Sequence, residues 1–482
     1  MGSGSWNGVI IVLRFFNGRC MERHTITETL QRLRETFRTG RTVSFAWRRS
    51  QLLALRQFLL EQEAIIAEAV TLDFGKSAAE TFLTETEFLR GEIESALRNL
   101  KRWMKPERVH VPLHYQFGRA SVRREPFGVV LVIGAWNYPL NLSLVPLVSA
   151  VAAGNCVLVK PSELAFHTSK VIANGISRYM DNGALAVFEG GVEDTVLLLK
   201  ERFDCVFFTG SQRAGREVML AAARHLTPVI LELGGKSPCI VHNDASLGVA
   251  ARRIVWAKFL NAGQTCIAPD YLLVHRDAEE ELLLLMQKAI VSFYGTNPEL
   301  SPDYPRIISD THFTRLEELL KDGLPVTGGD VHKESRYIAP AILRDVNPEA
   351  PIMQSEIFGP LLPVLTYTSL DEALAFVRKG NDPLAVYLFS ASASVRHKVL
   401  DATRSGGFCT NDLLFQSAVH GLPFGGVGQS GFGRYHGRAG YEAFSYVRSI
   451  LYRSVFPDPD IRYPPYAGKK FSLLQRLVSF FR

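Results

Sequence analysis

A cysteine in a polar loop could act as a nucleophile. Cys266 lies in NAGQTCIAPDY (261–271), after Gly263 and before a proline. A thiol attacks carbon when its thiolate is populated and accessible, and the backbone N–H groups of such a loop could point at the sulfur. Taken alone, a cysteine of this kind is more often buried filling. Its neighbours therefore decide whether Cys266 does chemistry.

A carboxylate and an amide at strand ends could complete such a site. Glu232 lies at the end of the apolar run TPVILEL, where partial desolvation could make it a general base, although a structural role is favoured when the residue is taken alone. Asn137 follows another apolar run, in GAWNYPLNL, and its side chain could donate to an oxyanion. The alternative for Asn137 is turn formation before Pro139.

Further motifs at strand ends could hold a nucleotide. Lys160 and Glu163 in KPSE could bind ribose hydroxyls, since α/β sheets bind nucleotides at these ends. Gly210, Ser211 and Gly215 in FTGSQRAG are typical of a phosphate-binding turn without matching the usual glycine-rich pattern. A solvated turn would explain the KPSE residues nearly as well, and the FTGSQRAG pattern is weak evidence by itself.

The stretch EIFGP adds a second acid and an aromatic ring. Glu356 could bond a ribose, and Phe358 could lie against a flat ring. Its alternative is an ordinary turn at a strand entry.

Composition limits the class of protein. The 482 residues exceed one ordinary core, and 47% hydrophobic with 21% charged residues predicts a multidomain globular chain. The net charge of +6 is spread among acidic residues, which favours a small-molecule ligand over nucleic acid. The six cysteines show no metal-binding spacing, so we expect no metal and a reducing, cytoplasmic compartment.

Hydrophobic periodicity predicts the elements that position these motifs. Residues 50–70 and 92–104 repeat apolar positions at helical spacing. Short apolar runs such as FGVVLVIG, NCVLVK and DCVFFTG then alternate with helical patterns. This alternation predicts an α/β fold with parallel sheets, and a second alternation after Gly234 predicts a second α/β domain.

Together these motifs resemble the aldehyde dehydrogenase superfamily, class 3 branch, whose members act on fatty and aromatic aldehydes. The resemblance runs from about Met21 to about Tyr466 through AWNYPLNL, KPSE, FTGS, LELGGKSP, GQTCIAPDY, EIFGP and LPFGGVGQSGFGRYHG. It implies a Rossmann-type cofactor domain, an α/β catalytic domain and a β-arm for oligomerisation. The expected boundaries are an extension at 1–20, an NAD(P)-binding domain at 21–108 and 127–233, an arm at 109–126 and 422–455, a catalytic domain at 234–421, and a tail at 456–482.

The resemblance implies a role for each candidate residue. Cys266 would attack the aldehyde, Asn137 and the Cys266 backbone N–H would stabilise the oxyanion, and Glu232 would activate the water that hydrolyses a thioester. The implied cofactor contacts are the riboses for Lys160, Glu163 and Glu356, the pyrophosphate for Gly210, Ser211 and Gly215, and the nicotinamide ribose for Phe358.

The expected reaction is NAD(P)-dependent oxidation of medium- or long-chain aliphatic or aromatic aldehydes to acids by a homodimer. Glu163 favours NAD because it would repel a 2′-phosphate, while the nearby Lys160 leaves NADP open. A catalytically silent scaffold at a lipid surface is the alternative, but such a protein is expected to have lost Cys266, Glu232 or Asn137. A coenzyme A-acylating enzyme is disfavoured because Glu232 is present.

The C-terminal tail bears on location. In KKFSLLQRLVSFFR (469–482), apolar residues recur every three or four positions with basic residues between them. Such a helix could lie peripherally in a membrane interface, or pack on the protein or its dimer partner, and the sequence leaves both open. The segment is too short to span a bilayer.

Overall fold

The computed structural model describes residues 23–112 and 118–480, so the predicted extension at 1–20 lies outside the described residues. The helices are α1 Arg23–Arg38, α2 Phe45–Glu61, α3 Glu63–Phe74, α4 Ala78–Thr81, α5 Glu87–Trp103, α6 Pro139–Ala153, α7 Phe166–Tyr179, α8 Val192–Leu198, α9 Gln212–Ala223, α10 Leu247–Phe259, α11 Glu279–Tyr294, α12 Asp310–Leu319, α13 Pro351–Gln354, α14 Leu370–Lys379, α15 Ala393–Ala402, α16 Phe415–Ala418, α17 Gly437–Ala443 and α18 Lys469–Phe480.

The strands alternate with these helices over most of the chain. They are β1 Glu107–Val109, β2 Gly118–Pro126, β3 Val129–Ile133, β4 Cys156–Lys160, β5 Leu185–Val187, β6 Cys205–Gly210, β7 Val229–Leu233, β8 Pro238–Val241, β9 Tyr271–His275, β10 Leu324–Thr327, β11 Val331–His332, β12 Tyr337–Ile338, β13 Ala341–Arg344, β14 Leu361–Tyr367, β15 Ala385–Phe389, β16 Gly407–Thr410, β17 Gly431–Phe432 and β18 Ser445–Arg453.

The first sheet has the order β17-β7-β6-β3-β4-β5 and is parallel except for β17. Strands β3 and β4 are buried along their whole length, as their continuous apolar runs require in a sheet covered on both faces. The chain runs outward from β3 to β5 and then returns to the other side of β3 with β6. This reversal creates a crevice beyond the carboxyl ends of β3 and β6, where α/β sheets bind ligands.

The second sheet has the order β10-β13-β14-β9-β8-β15-β16 and is parallel except for β10. Its buried apolar side chains form one cluster, and those around the first sheet form another. The predicted α/β fold with a Rossmann-type sheet and a further α/β unit is therefore confirmed.

A small antiparallel sheet, which we call the arm sheet, has the order β1-β2-β18. It contains part of the expected arm, because β2 pairs with β18 from Gly118 opposite Arg453 to Pro126 opposite Ser445. The other elements of the 422–455 segment do not belong to the arm sheet. Strand β17 pairs with β7 in the first sheet, and α17 packs on α5 and α6.

The C-terminal helix α18 leaves large apolar side chains on its surface. Across 23–112 and 118–480, no helix has both the length and the hydropathy needed to cross a membrane. The exposed apolar residues of α18 are Phe471, Leu473, Leu477 and Phe480.

Candidate active site

The loop that carries Cys266 has an unusual backbone. It leaves α10 through Asn261, Ala262 and Gly263, whose φ angles are 52°, 50° and 73°. Left-handed conformations cost free energy at residues other than glycine, so the surroundings must impose them. A Cβ at position 263 would lie 2.2 Å from the carbonyl oxygen of Gly359, which accounts for a glycine there. The loop is thus wedged against the EIFGP segment.

Amide hydrogen bonds tie this loop to Asn137. The Asn137 Nδ2 donates to the Gln264 carbonyl at 3.0 Å, and Asn261 Nδ2 donates to the Asn137 carbonyl at 2.7 Å. The Gln264 side chain donates to the Asn261 carbonyl at 3.0 Å and accepts from the backbone N–H of Ile308 at 3.0 Å. An amide nitrogen carries two hydrogens, so Asn137 keeps one donor for another acceptor.

The Cys266 thiol is half-buried at the end of this loop. Burial raises its pKa, and the carboxylates of Glu356 and Glu232 raise it further, while the backbone N–H groups of Cys266 and Ile267 oppose the rise. The sulfur therefore stays protonated at neutral pH unless a base accepts its proton. Because both carboxylates act on the pKa of the thiol, Glu232, Glu356 and Cys266 lie in one site.

Glu232 is a buried carboxylate on β7. It is 3% exposed, and among the described residues neither of its oxygens has a hydrogen-bond partner. Burial raises its pKa well above the usual range, against the attraction of Arg434. A Cβ at Gly425 would lie 2.9 Å from Glu232 Oε1, so the GGVG segment approaches this carboxylate closely. An unpaired buried carboxylate of raised pKa is a candidate proton acceptor.

Glu356 approaches the backbone of the LELGGK motif. A Cβ at Gly234 would lie only 1.8 Å from its Oε2, so that position admits the carboxylate because it has no side chain. Burial and Asp270 raise the pKa of Glu356 to about 8, while the Gly235 N–H and Lys236 lower it.

A partly buried ion pair that sequence reasoning missed holds the Glu356 segment. Lys236 pairs with Asp270, and Asp270 Oδ1 accepts the Ile357 backbone N–H at 2.9 Å. Lys236 Nζ also donates to the carbonyls of Ile352 at 2.9 Å and Ser355 at 3.0 Å. Both residues stand inside quoted motifs, LELGGKSP and GQTCIAPDY, but nothing in either motif indicates the pairing.

Phe358 adopts a left-handed conformation with φ of 51°. Its ring meets Trp136 edge-on at 5.2 Å between centroids, and Trp136 lies 4.9 Å from the His312 ring. Trp136 and His312, which the sequence did not single out, thus form an aromatic group beside Asn137.

Lys160 and Glu163 lie together at the carboxyl end of β4. The Lys160 Nζ lies 2.7 Å from Glu163 Oε2; the lysine side chain is buried, whereas Glu163 is 38% exposed. Their position beside the crevice and the open face of Glu163 fit a ribose hydroxyl as ligand.

The FTGSQRAG segment opens α9 as its pattern predicts. Ser211 caps the helix by accepting the Ala214 backbone N–H at 3.3 Å. The helix amino end therefore faces the crevice that follows Gly210, which suits a phosphate. Gly215 is buried in the helix, and a Cβ there would lie 2.7 Å from Leu233 Cδ2. Gly215 therefore lets α9 pack closely on β7, as a glycine at this place does in dinucleotide-binding folds.

The residues around the crevice fit a dinucleotide. The fit rests on the amino end of α9, the Lys160–Glu163 pair at the next strand end, and Gly234, whose missing side chain leaves room for Glu356. The Cys266 thiol shares the neighbouring site with the Glu232 carboxylate, which no described residue hydrogen-bonds. The arrangement can therefore combine a nucleophile, a base and an amide donor beside a nucleotide.

Comparisons with known proteins agree with this geometry. Residues 17–450 match the model of the aldehyde dehydrogenase family. Aldehyde dehydrogenase family 3 member B1 of Rattus norvegicus is 48% identical over 93% of this chain and 96% of its own. The Rattus norvegicus protein named aldehyde dehydrogenase, dimeric NADP-preferring, is 45% identical over 92% of this chain and 99% of its own. A structure of the substrate-bound state of Staphylococcus aureus AldH is similar with a TM-score of 0.92 and 41% identity, covering 94% of this chain and 99% of that one.

Proposed function

Because the chain belongs to the aldehyde dehydrogenase family and is an NAD(P)-dependent aldehyde dehydrogenase of the class 3 branch, we propose that Cys266, Glu232 and Asn137 carry its chemistry. The observation that carries this proposal is the buried carboxylate of Glu232, which has no hydrogen-bond partner among the described residues and is coupled to the Cys266 thiol. A structural carboxylate would be expected to have a partner. Nothing supports a catalytically silent scaffold.

The first half of the reaction joins the substrate to the enzyme. Glu232 accepts the thiol proton, and the Cys266 sulfur forms a bond to the aldehyde carbon. The free N–H of Asn137 and the Cys266 backbone N–H donate to the resulting oxyanion, which lowers the barrier. NAD(P)+ supplies the two-electron oxidant when it is bound. Oxidation leaves a thioester on Cys266.

The second half releases the acid. Glu232 accepts a proton from a water molecule whose oxygen bonds to the thioester carbon. The carbon–sulfur bond then breaks, Cys266 regains a proton, and the carboxylic acid leaves. One buried base thus serves both halves, so Glu232 must release the proton taken from the thiol to solvent before it accepts a proton from water.

Cofactor contacts follow from the crevice. Lys160, Glu163 and Glu356 would hold ribose hydroxyls, and the amino end of α9 at Ser211 would receive the pyrophosphate. The exposed Glu163 carboxylate favours NAD over NADP, because a 2′-phosphate would approach a like charge. The rat relative named NADP-preferring shows that a close relative can take NADP.

A mostly apolar cavity beside the site, with Gln416 in its lining, supports apolar substrates. It has a volume of about 190 Å³ and lies next to Ile267, which follows Cys266, and Gly425, which abuts Glu232. We therefore place the physiological substrates among medium- and long-chain aliphatic or aromatic aldehydes. The lining includes Leu384, Phe408, Leu422, Pro423 and Phe424.

Assay of aldehyde oxidation tests this function. Reduction of NAD and of NADP would be followed with aldehydes from propanal to hexadecanal, with Cys266→Ala as the control. We expect kcat/KM to rise with chain length, NAD to be preferred, and activity to vanish in the variant. Full activity of Cys266→Ala would exclude the assigned nucleophile, and a fall with chain length would exclude the substrate class.

A homodimer is proposed from the arm sheet. Val447, Leu451 and Tyr452 on β18 are 52%, 65% and 69% exposed in the single chain, and one similar rat protein is named dimeric. Such apolar exposure on a strand suits pairing with a second copy. Light scattering should give twice the chain mass, and Leu451→Glu with Tyr452→Lys should shift it towards the monomer. An unchanged mass would place the interface elsewhere.

We propose that the enzyme is cytoplasmic and that its C-terminal tail makes peripheral contact with a membrane. The exposed apolar residues Phe471, Leu473 and Phe480 of α18 are accompanied by Lys469 and Arg476, a composition suited to an anionic lipid surface. Co-sedimentation with phosphatidylserine vesicles should fall at least tenfold on deletion of 469–482 and should be weak with phosphatidylcholine alone. Loss of dimerisation instead of vesicle binding would assign α18 to the partner chain.

A further inference from the structure

A group of buried ionisable side chains lies behind the nucleophile loop and has no part in the chemistry above. Lys76, Glu80 and Glu85 are 0%, 9% and 0% exposed. The Lys76 Nζ lies 3.5 Å from Glu85 Oε1. We call these three residues the buried triad. Charges are withdrawn from water at a free-energy penalty, so a buried set of this kind requires a structural or functional reason.

Each carboxylate of the buried triad accepts a backbone N–H from a segment that carries a catalytic residue. Glu80 Oε1 accepts from Asn261, the first left-handed residue of the Cys266 loop, at 2.9 Å. Glu85 Oε2 accepts from Asn141, in the first turn of α6, at 2.9 Å. Asn141 lies four residues after Asn137. The two carboxylates thus hold the loop of the nucleophile and the segment of the oxyanion donor.

The Lys76 ammonium pairs with Glu85 and attracts the Glu80 carboxylate as well. Its Nζ also lies 4.4 Å from the centroid of the Tyr138 ring. The Tyr138 hydroxyl in turn makes a 2.6 Å hydrogen bond with Thr265 Oγ1, immediately before Cys266. The contacts of the buried triad therefore reach the nucleophile loop at both of its ends.

A local irregularity brings both carboxylates to the same side. Glu80 is in α4, and Glu85 is in a π-helical turn at Phe82–Thr86 that connects α4 to α5. Single π-helical turns are rare and recur at functional sites. The turn places residues five apart on the face towards Asn261 and Asn141.

We propose that Glu80 is a positioning residue for acylation. Its carboxylate holds the Asn261 N–H, and through it the left-handed turn from Asn261 to Gly263 that presents the Cys266 sulfur. Asn261 and Ala262 carry side chains, so this turn is not the preferred state of the free loop. Without the acceptor at Glu80, the loop relaxes and the sulfur leaves the attack position. The inference rests on the proposed role of Cys266 as nucleophile.

A matched pair of variants tests the proposal. Glu80→Gln keeps an oxygen acceptor for Asn261 at the same reach, whereas Glu80→Met keeps the size and removes the acceptor. We expect Glu80→Met to lower kcat/KM for the aldehyde at least tenfold while the Kd for NAD changes less than threefold. Glu80→Gln should stay within threefold of the natural protein for both quantities.

Hydrogen exchange supplies a readout that general destabilisation would not give. In Glu80→Met, exchange of the peptide that covers 260–264 should accelerate at least tenfold, while peptides from α10 and β9 keep their rates. In Glu80→Gln all three should be unchanged. The proposal would be overturned if both variants lost kcat/KM to the same extent. It would also be overturned if the 260–264 peptide of Glu80→Met exchanged no faster than in Glu80→Gln.

Two controls keep the outcomes separate. If Glu80→Met does not fold, Glu80→Asp replaces it, because its carboxylate is one methylene too short to reach Asn261 and should give the same defect. Cys266→Ala is assayed alongside. Activity in Cys266→Ala would overturn the nucleophile assignment, whereas loss there with full activity in Glu80→Met would overturn only the positioning role.

Discussion

At the scale of single residues, the site depends on how burial changes protonation. Glu232 is desolvated, so its pKa is raised, and it raises the pKa of Cys266 in turn. Both groups must lose a proton to act, since a thiolate attacks and a carboxylate accepts. Because both pKa values are raised, we expect activity to rise with pH at a higher pH than the usual pKa values of a carboxyl and a thiol would give. Arg434 is the charge that limits this effect at Glu232.

Removal of the Arg434 charge should move the pH profile. Arg434→Gln deletes the cation that stabilises ionised Glu232, so the pKa of Glu232 rises further. We expect the alkaline rise of kcat/KM to shift to higher pH by on the order of one unit. Arg434→Lys, which keeps a charge, should shift it much less. A profile that is identical in all three proteins would mean that Glu232 does not control the pH dependence.

At the scale of elements, the strand ends of the first sheet were the most predictable part of the site. Continuous apolar runs identify β3, β4 and β6, and polar motifs directly after them must lie at one edge of a parallel sheet. That argument predicts the positions of Asn137, Lys160 and Ser211 from the sequence alone.

Contacts between distant segments could not be predicted in this way. The bond from Asn261 to Glu80 joins residues 181 positions apart, and the Ile357 bond to Asp270 joins residues 87 positions apart. No periodicity encodes such pairings. The left-handed backbone of Asn261, Ala262 and Phe358 was equally hidden, because glycine alone adopts that conformation at no steric cost and the other residue types give a weaker signal or none. The family resemblance nevertheless predicted the fold class correctly.

The end of β4 gives a prediction about cofactor choice. Glu163 lies there with an exposed carboxylate paired to buried Lys160. Glu163→Gln removes the negative charge and leaves a hydrogen-bonding side chain and the lysine cation. We expect kcat/KM with NADP to rise about tenfold relative to NAD, because like-charge repulsion is lost. An unchanged ratio of the two cofactors would show that the 2′-position lies elsewhere.

At the scale of the whole molecule, the first and second sheets meet at the site, and buried acids near this junction affect global stability. Burial raises the pKa of Glu80 from 4.5 to about 7, although Lys76 and the Asn261 N–H oppose the rise. Between these two values the folded chain holds a proton that the unfolded chain has released. The free energy of unfolding contributed by this group therefore falls as the pH rises through this window.

Denaturant unfolding at several pH values measures this effect. Between about pH 5 and pH 7, Glu80 should contribute a fall of about 2 kcal/mol in the free energy of unfolding. Glu80→Gln should flatten the dependence by that amount, because glutamine has no proton to exchange. A variant whose pH dependence matches that of the natural protein would contradict the raised pKa of Glu80.

The most direct measurement is mass analysis of the covalent intermediate. Glu232→Gln lacks the proposed base for both halves, so acylation should be slow and proceed only through the small thiolate fraction of Cys266. The thioester formed in this way is not hydrolysed, so it should accumulate during a long incubation with NAD+ and an excess of decanal. We predict a mass increase equal to the aldehyde less two hydrogens, located on the peptide that contains Cys266 and absent from Cys266→Ala in the same background. An adduct on another cysteine, or undiminished turnover by Glu232→Gln without an adduct, would contradict the assigned nucleophile and base.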